Sequence, residues 1–405
     1  MMLKIDEALS RLQIYCEEEE FKGWDPYDGL NSKLFQSFPL LPGNRFARLA
    51  WIQAFKRSPV NFRKFALVKK DYNAKGVALF LAGYCNLFSV NPKQGYSAKI
   101  NFLCNKLLEL QSSGWSGSCW GYNFDWQARA FFQPKNTPTV VATVFAANAL
   151  MDAYEITGDG KLLDTARSSC NFILKDLNRT YDKNKDFSFS YSPLDKSVVF
   201  NASLLGSRLL SRVYSFTGER VLKDEAEKSI KFCLAHQRND GSWSYGTLPF
   251  HQWVDSFHTG YNLECIAEYC RYTGDTTRND AIEKGFRYYI QTFFTEEGIS
   301  RYYNHSVYPI DIHSSAQLII TLSRLNKIHE YKKVADKVLS WTIDNMQSDK
   351  GYFYYQINKF FITKIPYIRW AQAWMFYSLT TYQKIFTEQN KLKIDTEGKI
   401  DLKSL

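Results

Sequence analysis

Two aspartate–histidine pairs carry the clearest chemistry in this sequence. Asp255 stands three residues before His258, and Asp311 stands two residues before His313. An imidazole changes charge near neutral pH, so each histidine could accept, donate or stabilise a proton during a reaction. We therefore predict that both pairs are catalytic, together with Tyr302 in the loop between them. We predict no metal site from these histidines, because no compact ligand spacing accompanies them.

Both pairs also have a structural interpretation. Aspartate is a favoured N-cap, and Asp255 and Asp311 each precede a predicted helix, where the histidine could be a structural hydrogen-bond partner. In the catalytic interpretation, hydrolysis of a glycosidic bond needs two carboxyl groups flanking it, at a separation that the sequence does not give. The carboxylates that we predict at one site are Asp25, Asp28, Asp125, Asp255 and Asp311.

Tryptophan and tyrosine are concentrated in the loops between predicted helices. Their flat faces stack on sugar rings while an NH or OH group stays available; the alternative is that they pack as ordinary core. If the sugar is a uronate, Arg129, Arg301 or Arg369 would face its carboxylate, and the base would be a tyrosine or histidine, with Tyr245, Tyr261 and Tyr302 as candidates. The predicted substrate-binding residues are Trp24, Asp25, Asp28, Trp120, Asp125, Trp126, Arg129, Trp243, Tyr245, His251, Tyr261, Arg369 and Trp370.

A repeat of helix pairs must position these residues. Three Thr-Gly-acid turns place Gly158, Gly218 and Gly274 at intervals of 60 and 56 residues. A glycine just past a helix end, followed by an acid that opens the next helix, indicates a helical hairpin. A fourth hairpin turns at 325–327. The first helices of the hairpins begin near 75, 139, 201, 260, 312 and 367.

Hairpins that stack in this way predict an all-α (α/α)6 toroid with first helices inside and second helices outside. The last hairpin lacks a second helix, and the N-terminal helix at 3–19 is expected to close the ring in its place. All long loops then share one rim, so the candidate residues converge at one mouth. We predict one domain over 1–388 and a polar tail over 389–405.

Composition limits the partners. The chain of 405 residues is 45% hydrophobic and can bury a sizeable core. Its net charge of +10 favours an acidic partner or reflects a solvated surface rich in lysine. We recognise no signal peptide, membrane span, nucleic-acid-binding signature or phosphate-binding loop. The eight cysteines lack the spacing of metal ligands and suit a reducing compartment, so we expect a cytoplasmic protein. We also expect no cofactor.

Two resemblances accompany these patterns. The segment Gln237-Arg-Asn-Asp-Gly241-Ser-Trp243 resembles the Gln-x3-Gly-x-Trp repeat of terpene cyclases and protein prenyltransferases, which are α/α toroids. In those families the motif ties helix ends together, and their aspartate-rich motifs and zinc ligands are not visible here. Over most of its length, including Trp24-Asp-Pro-Tyr-Asp-Gly-Leu-Asn31, the chain resembles toroid proteins associated with bacterial surface-polysaccharide biosynthesis.

That second group is similar in architecture to six-hairpin glycosidases, polysaccharide lyases and the toroid domain of uronate C5-epimerases. The resemblance implies a protein that acts on a bacterial polysaccharide, anionic or not, or on its lipid-linked precursor. Hydrolysis, elimination and epimerisation all stay open. The alternatives are a non-catalytic glycan-binding or scaffolding ring and, third, isoprenoid chemistry.

Overall fold

The structure is a computed structural model that describes residues 1–92, 94–129 and 131–397, with side chains described as far as residue 388, and it confirms an (α/α)6 toroid. The inner layer contains α4 (Ala74–Val90), α6 (Val140–Thr157), α8 (Phe200–Thr217), α10 (Ser256–Thr273), α12 (Ile312–Arg324) and α14 (Ala373–Glu397). The outer layer contains α1 (Met2–Glu18), α5 (Tyr96–Glu109), α7 (Gly160–Lys175), α9 (Arg220–Leu234), α11 (Asn279–Phe293) and α13 (Lys332–Met346).

The remaining elements lie in the long connections. Helices α2 (Lys33–Gln36) and α3 (Arg45–Arg57) separate α1 from α4. Short antiparallel strands pair β1 (Trp126–Gln127) with β2 (Phe132–Gln133), and β3 (Arg179–Tyr181) with β4 (Phe187–Phe189). A third sheet has the order β5 (Ile310–Asp311), β6 (Gln356–Ile357) and β7 (Ile362–Thr363).

The ring closes without a gap. Each inner helix contacts the next one along the chain, and α14 contacts α4. Helix α1 packs against α14 and α13 and therefore takes the sixth outer position, as predicted. The inner helices are buried on nearly every side because other helices enclose them, whereas the outer helices bury one face only.

The short turns follow the predicted glycine pattern. Gly158, Gly218 and Gly274 each follow an inner helix in the left-handed conformation, with φ of +70°, +72° and +74°. A residue without a Cβ adopts this conformation at little cost. Asn326 takes the same role in the fourth hairpin, with φ of +55°, and asparagine is the next most tolerant residue there.

The long loops after α1, α7, α9, α11 and α13 each return to the start of the inner helix of their own hairpin. Backbone NH groups that begin α6, α8, α10 and α12 donate to the carbonyls of Tyr191, Tyr245, Tyr302 and Tyr355, at 2.9 to 3.2 Å. The loop after α1 behaves alike, since the Ile368 NH donates to the Trp24 carbonyl at 3.0 Å. The first NH groups of a helix lack intrahelical partners, so these bonds fix the loops over the N-terminal ends of the inner helices.

The glutamine motif ties neighbouring hairpins together. The Gln237 amide donates to the Ala281 carbonyl of α11 at 2.9 Å. The Gln347 amide makes the equivalent bond to the Ala8 carbonyl of α1, also at 2.9 Å. The N-terminal helix is therefore held in the ring by the same contact that holds a helix in the middle of the chain.

Three further expectations concern the whole chain. All eight cysteines are free thiols, and seven of them are buried. Among the residues that the structure describes, no helix combines the length and apolar character needed to cross a bilayer. The division at residue 388 stays a prediction: α14 runs on to Glu397, and the rest of the predicted tail lies outside the described residues.

Substitution of Gly351 by alanine tests the seat of α1. Gly351 has φ of +90°, and a Cβ there would stand 2.3 Å from the Arg11 carbonyl oxygen. We expect Gly351→Ala to lower the free energy of unfolding in urea by about 3 kcal/mol, from backbone strain and the clash with α1. Gly158→Ala is the matched control, since φ is also positive but no atom lies within 4 Å; it should cost about 1 kcal/mol. Equal losses would contradict this account of ring closure.

Candidate active site

A cavity of about 540 Å³ opens at the rim that carries the long loops. The first two turns of the inner helices contribute Lys75, Asn201, His258, Tyr261 and His313 to its lining. The long loops and one face of α3 supply the rest. This volume suits a small-molecule ligand. The partial positive charge at the N-terminal ends of the surrounding helices favours an anion.

Ten of the predicted site residues line this cavity, and they come from both halves of the chain. They are Trp126, Arg129, Tyr245, His251, His258, Tyr261, Tyr302, His313, Arg369 and Trp370. The other eight do not line it: Trp24, Asp25, Asp28, Trp120, Asp125, Trp243, Asp255 and Asp311. Their positions show what these side chains do instead.

The three tryptophans in that second group are anchored in the body of the toroid. The indole NH of Trp120 donates to the Leu107 carbonyl at 2.7 Å, and that of Trp243 to the Cys233 carbonyl at 3.0 Å. Both accepting carbonyls belong to outer helices that precede the loop. Trp24 is buried and donates to the backbone in the same manner. These indoles hold loops against helices, which is the packing alternative noted above.

The tyrosines two positions further along the loops reach the cavity instead. Tyr122 stands two residues after Trp120, Tyr191 two after Phe189, and Tyr245 two after Trp243. All three tyrosines line the cavity. The hydroxyls of Tyr122 and Tyr191 are hydrogen-bonded to each other at 2.8 Å. In each of these loops the first aromatic residue anchors the loop and the second faces the ligand space.

Asp25 supports Arg369 from behind. The guanidinium Nε and Nη2 donate to the two carboxylate oxygens at 2.6 and 2.8 Å, in a two-point ion pair with both side chains almost fully buried. Burial acts against the guanidinium charge, but the carboxylate outweighs it and raises the pKa of Arg369. A single π-helical turn, Ile368–Gln372, presents Arg369 and Trp370 to the cavity together.

Asp255 supports His258 in a similar way. One carboxylate oxygen accepts from the His258 backbone NH at 2.8 Å, as an N-cap of α10, and the other lies 2.7 Å from the ring Nδ1. The carboxylate fixes the proton on Nδ1 and leaves Nε2 as the reactive nitrogen. The Asp255 side chain itself is fully buried.

Asp311 is the N-cap of α12 and supports Trp370. Its carboxylate accepts from the His313 NH at 2.9 Å, from the Trp370 indole NH at 3.0 Å and from the Gln356 amide at 2.5 Å. Burial raises the pKa of Asp311 to about 6, although these hydrogen bonds favour its charged form. The carboxyl group is therefore near its midpoint at mildly acidic pH.

The remaining two carboxylates have local roles. Asp28 forms a buried ion pair with Arg63 at 2.7 Å. Burial raises the pKa of Asp28 to about 6, against the opposing effect of the guanidinium. Asp125 accepts from the Lys135 backbone NH at 2.7 Å and closes its loop.

A chain of hydrogen bonds links three cavity residues from three inner helices. The Tyr261 hydroxyl lies 2.8 Å from His313 Nε2, and the Lys75 ammonium donates to the same hydroxyl at 3.2 Å. Burial, reinforced by Lys75, holds the pKa of His313 well below its usual value, so the ring stays neutral at neutral pH. Burial raises the pKa of Tyr261 well above its usual range, so the phenol keeps its proton.

The Lys75 ammonium is surrounded by aromatic rings. Its nitrogen lies 4.2 Å from the centroid of the Phe145 ring and 5.2 Å from those of Tyr261 and Trp374. Such rings stabilise a cation that has lost water. Burial and then the nearby Arg369 cation nevertheless lower the pKa of Lys75 well below its usual value.

The charge of the lining is one-sided. The described lining residues include no aspartate or glutamate. They include five permanent or potential cations, namely Lys56, Arg57, Lys75, Arg129 and Arg369. Acidic groups lie one layer further out, bonded to the residues that face the cavity. No cluster of three or more possible metal ligands occurs in the described part of the chain.

Several lining residues were missed by the sequence analysis. Lys75 is a lone cation at the start of an otherwise apolar helix, and that contrast is a usable signal. Tyr122 and Tyr191 could have been found by aligning the loops, because each stands two residues after a loop aromatic. Lys56 and Arg57 lie on α3, outside the repeat, and nothing in the hairpin pattern relates α3 to the mouth.

Comparison with solved structures shows that other toroids share this fold. Cellobiose 2-epimerase from Bacillus thermoamylovorans superposes with a TM-score of 0.62 at 13% identity, over 78% of this chain and 88% of that one. A GH76 α-mannanase of Bacteroides thetaiotaomicron gives 0.60 at 11% identity, over 79% and 88%. An unsaturated glucuronyl hydrolase specific for heparin gives 0.57 at 12% identity, over 77% and 86%.

No protein-family model and no curated protein sequence matches this chain. The chain therefore has the six-hairpin architecture of these sugar-active toroids. At identities this low, the comparison establishes the fold alone.

The raised pKa of Asp311 gives a test of the site by stability. The folded pKa of about 6 lies above the ordinary aspartate value of 3.8, so wild-type protein loses stability as pH rises from about 4 through 6. Asparagine never carries that charge. We expect Asp311→Asn, relative to wild type, to gain about 1 kcal/mol of unfolding free energy between pH 5 and 7.5. Asp349→Asn, at the surface, sets the baseline in the same urea titrations. A wild-type-to-variant difference that stays constant with pH would contradict a buried, titrating Asp311.

Proposed function

We propose that this protein is an enzyme that removes a proton from an acidic sugar and returns one, so that it epimerises a uronate or a related sugar acid. The observation that carries the proposal is the composition of the cavity. Three histidines and several tyrosines share it with five lysine or arginine side chains, and no described lining residue is a carboxylate. Such a lining attracts an anion and provides groups that transfer protons.

The same observation disfavours hydrolysis by two carboxylates. That mechanism needs one carboxyl group on each side of the glycosidic bond. The five carboxylates proposed for this purpose lie outside the lining. Asp25, Asp255 and Asp311 each accept hydrogen bonds from a residue that faces the cavity. They act through those residues in our proposal.

His258 is the proposed base. Since Asp255 holds Nδ1, Nε2 takes the proton from the carbon beside the sugar carboxylate. The electron pair of the broken C–H bond moves onto the carboxylate, and Arg369, with Lys75, stabilises the extra negative charge.

The Tyr261–His313 pair is the proposed acid. Tyr261 gives its hydroxyl proton to the opposite face of the same carbon, which forms the new C–H bond and inverts the centre. The negative charge left on the phenol is stabilised by the Lys75 hydrogen bond. Solvent then takes the proton from His258 and restores one to Tyr261, so the enzyme returns to its starting state.

The comparisons support the substrate class without deciding it. One neighbour is named as an epimerase of a sugar and another as a hydrolase of a glucuronyl group. The resemblance to toroids of surface-polysaccharide biosynthesis would make the substrate a sugar acid within a bacterial polysaccharide or its precursor. Both points agree with a basic cavity.

Hydrogen exchange tests the proposed chemistry. We expect wild-type protein in D2O to introduce deuterium beside the carboxyl group of at least one sugar acid in a panel of free and oligomeric uronates, followed by NMR. His258→Gln should lower the rate by about 100-fold or more, because the base is lost. His236→Gln is the matched control, since that imidazole lies on the outer layer and bonds to the Phe232 carbonyl.

Other results would identify a different function. Cleavage of a glycan without any exchange would establish hydrolysis and end the epimerase proposal. Binding of uronates with neither exchange nor cleavage would favour the glycan-binding ring.

A further inference from the structure

The segment 33–70, which we call the basic arm, connects the loop after α1 to α4 and lies outside the hairpin repeat. It contains nine lysines and arginines and no aspartate or glutamate: Lys33, Arg45, Arg48, Lys56, Arg57, Arg63, Lys64, Lys69 and Lys70. The net charge of the whole chain is +10, so the charge excess is localised here rather than scattered. A dense cluster of one sign calls for a partner of the opposite sign.

The basic arm also exposes large apolar side chains. Phe65 is 83% exposed, Leu40 81% and Phe46 78%. Six more belong to the same segment: Leu34, Phe38, Leu41, Val60, Phe62 and Leu67. Together they make up nine of the 22 exposed large hydrophobic side chains among the described residues. Apolar groups at this density mark an interaction surface, whereas single ones do not.

The arm is nonetheless fixed to the toroid. Ile52 and Phe35 are buried in a small core beneath α3. The Trp51 indole donates to the Gly29 carbonyl at 3.0 Å, and Arg48 donates to the Gln127 side chain at 2.8 and 2.9 Å. Ser32 donates to the Ala66 carbonyl at 2.7 Å and joins the two ends of the arm. The exposed side chains therefore project from a supported platform.

Most of the exposed cations have no acidic partner. Arg63 pairs with Asp28, and Lys70 pairs with Glu19. Within the described residues, no ion pair involves the exposed side chains of Lys33, Arg45, Arg57, Lys64 and Lys69. These charges are available to an external anion.

We propose that the basic arm docks the protein onto an anionic membrane surface. Lysine and arginine meet the lipid phosphates, and the Phe and Leu side chains enter the headgroup region. A lipid surface supplies negative charge along the whole arm and accepts protruding apolar groups at any point. A second copy of the chain is disfavoured, because a two-fold contact would bring the unpaired cations of one arm against those of the other. The inference does not depend on the proposed sugar chemistry.

The position of the arm relates this surface to the cavity. Leu49, Gln53, Lys56 and Arg57 of α3 line the mouth, while other residues of the arm face outward. A protein docked through the arm would hold its mouth beside the lipid headgroups.

Co-sedimentation with vesicles tests the proposal on the full chain. We expect wild-type protein to bind vesicles of phosphatidylglycerol and phosphatidylcholine but not of phosphatidylcholine alone, and to be released by salt. Lys64→Glu with Lys69→Glu, and separately Leu40→Ser with Phe46→Ser and Phe65→Ser, should each lower the partition coefficient roughly tenfold or more. All five side chains are exposed, and circular dichroism verifies that both variants are folded.

The control carries matched changes at the opposite rim. Lys161→Glu, Arg220→Glu and Phe216→Ser lie at the short turns, and this variant should bind like wild type. Binding by the arm variants equal to wild type, or no binding by any protein, would overturn the proposal. The proposal would also be overturned if wild-type protein were a dimer in solution, the variant changed at Leu40, Phe46 and Phe65 were a monomer, and no protein bound vesicles.

Discussion

The buried ion pair between Asp25 and Arg369 is the interaction on which the rest of this structure depends. It connects the loop after the first helix to the start of the last inner helix, at 2.6 and 2.8 Å, and so joins the two ends of the ring at the level of the cavity. It also orients the guanidinium, which lies over the rings of Tyr122 and Trp370 at 5.2 and 5.3 Å. Loss of either partner would leave a buried charge uncompensated, and both ring closure and the cavity would be affected.

A two-layer arrangement follows around the mouth. Cationic, aromatic and imidazole groups face the ligand space, and the carboxylates lie behind them. Asp255 sets the tautomer of His258, and Asp311 accepts a hydrogen bond from the indole NH of Trp370. Burial, reinforced by the nearby cations, keeps His313 neutral. Because the acids are withdrawn, the potential inside stays positive, which favours an anionic ligand. In this arrangement the carboxylates position the side chains that face the cavity, and the cations bind the ligand.

The sequence predicted the toroid well because its signals are local and repeated. Turn glycines such as Gly218 are determined by a local backbone conformation alone. The helix at 3–19 had no partner within the repeat, and the ring had one outer position left for it. The roles of single side chains depend on depth within a loop, which has no such signal. Trp243 and Tyr245 are both aromatic, yet only Tyr245 faces the cavity. Likewise, an aspartate that begins a helix can orient a histidine or perform chemistry itself, and only its neighbours in three dimensions show which hydrogen bonds it makes.

The central claim is that the cavity, whose described lining has cations and imidazoles and no carboxylate, takes an acidic sugar. Calorimetric titration of wild-type protein with glucuronate and with glucose tests this most directly, since the two sugars share a ring and differ in one charged group. We predict that glucuronate binds at least about tenfold more tightly, equivalent to about 1.4 kcal/mol, and that the preference weakens as salt is added. Equal affinity, or tighter binding of glucose, would contradict the account.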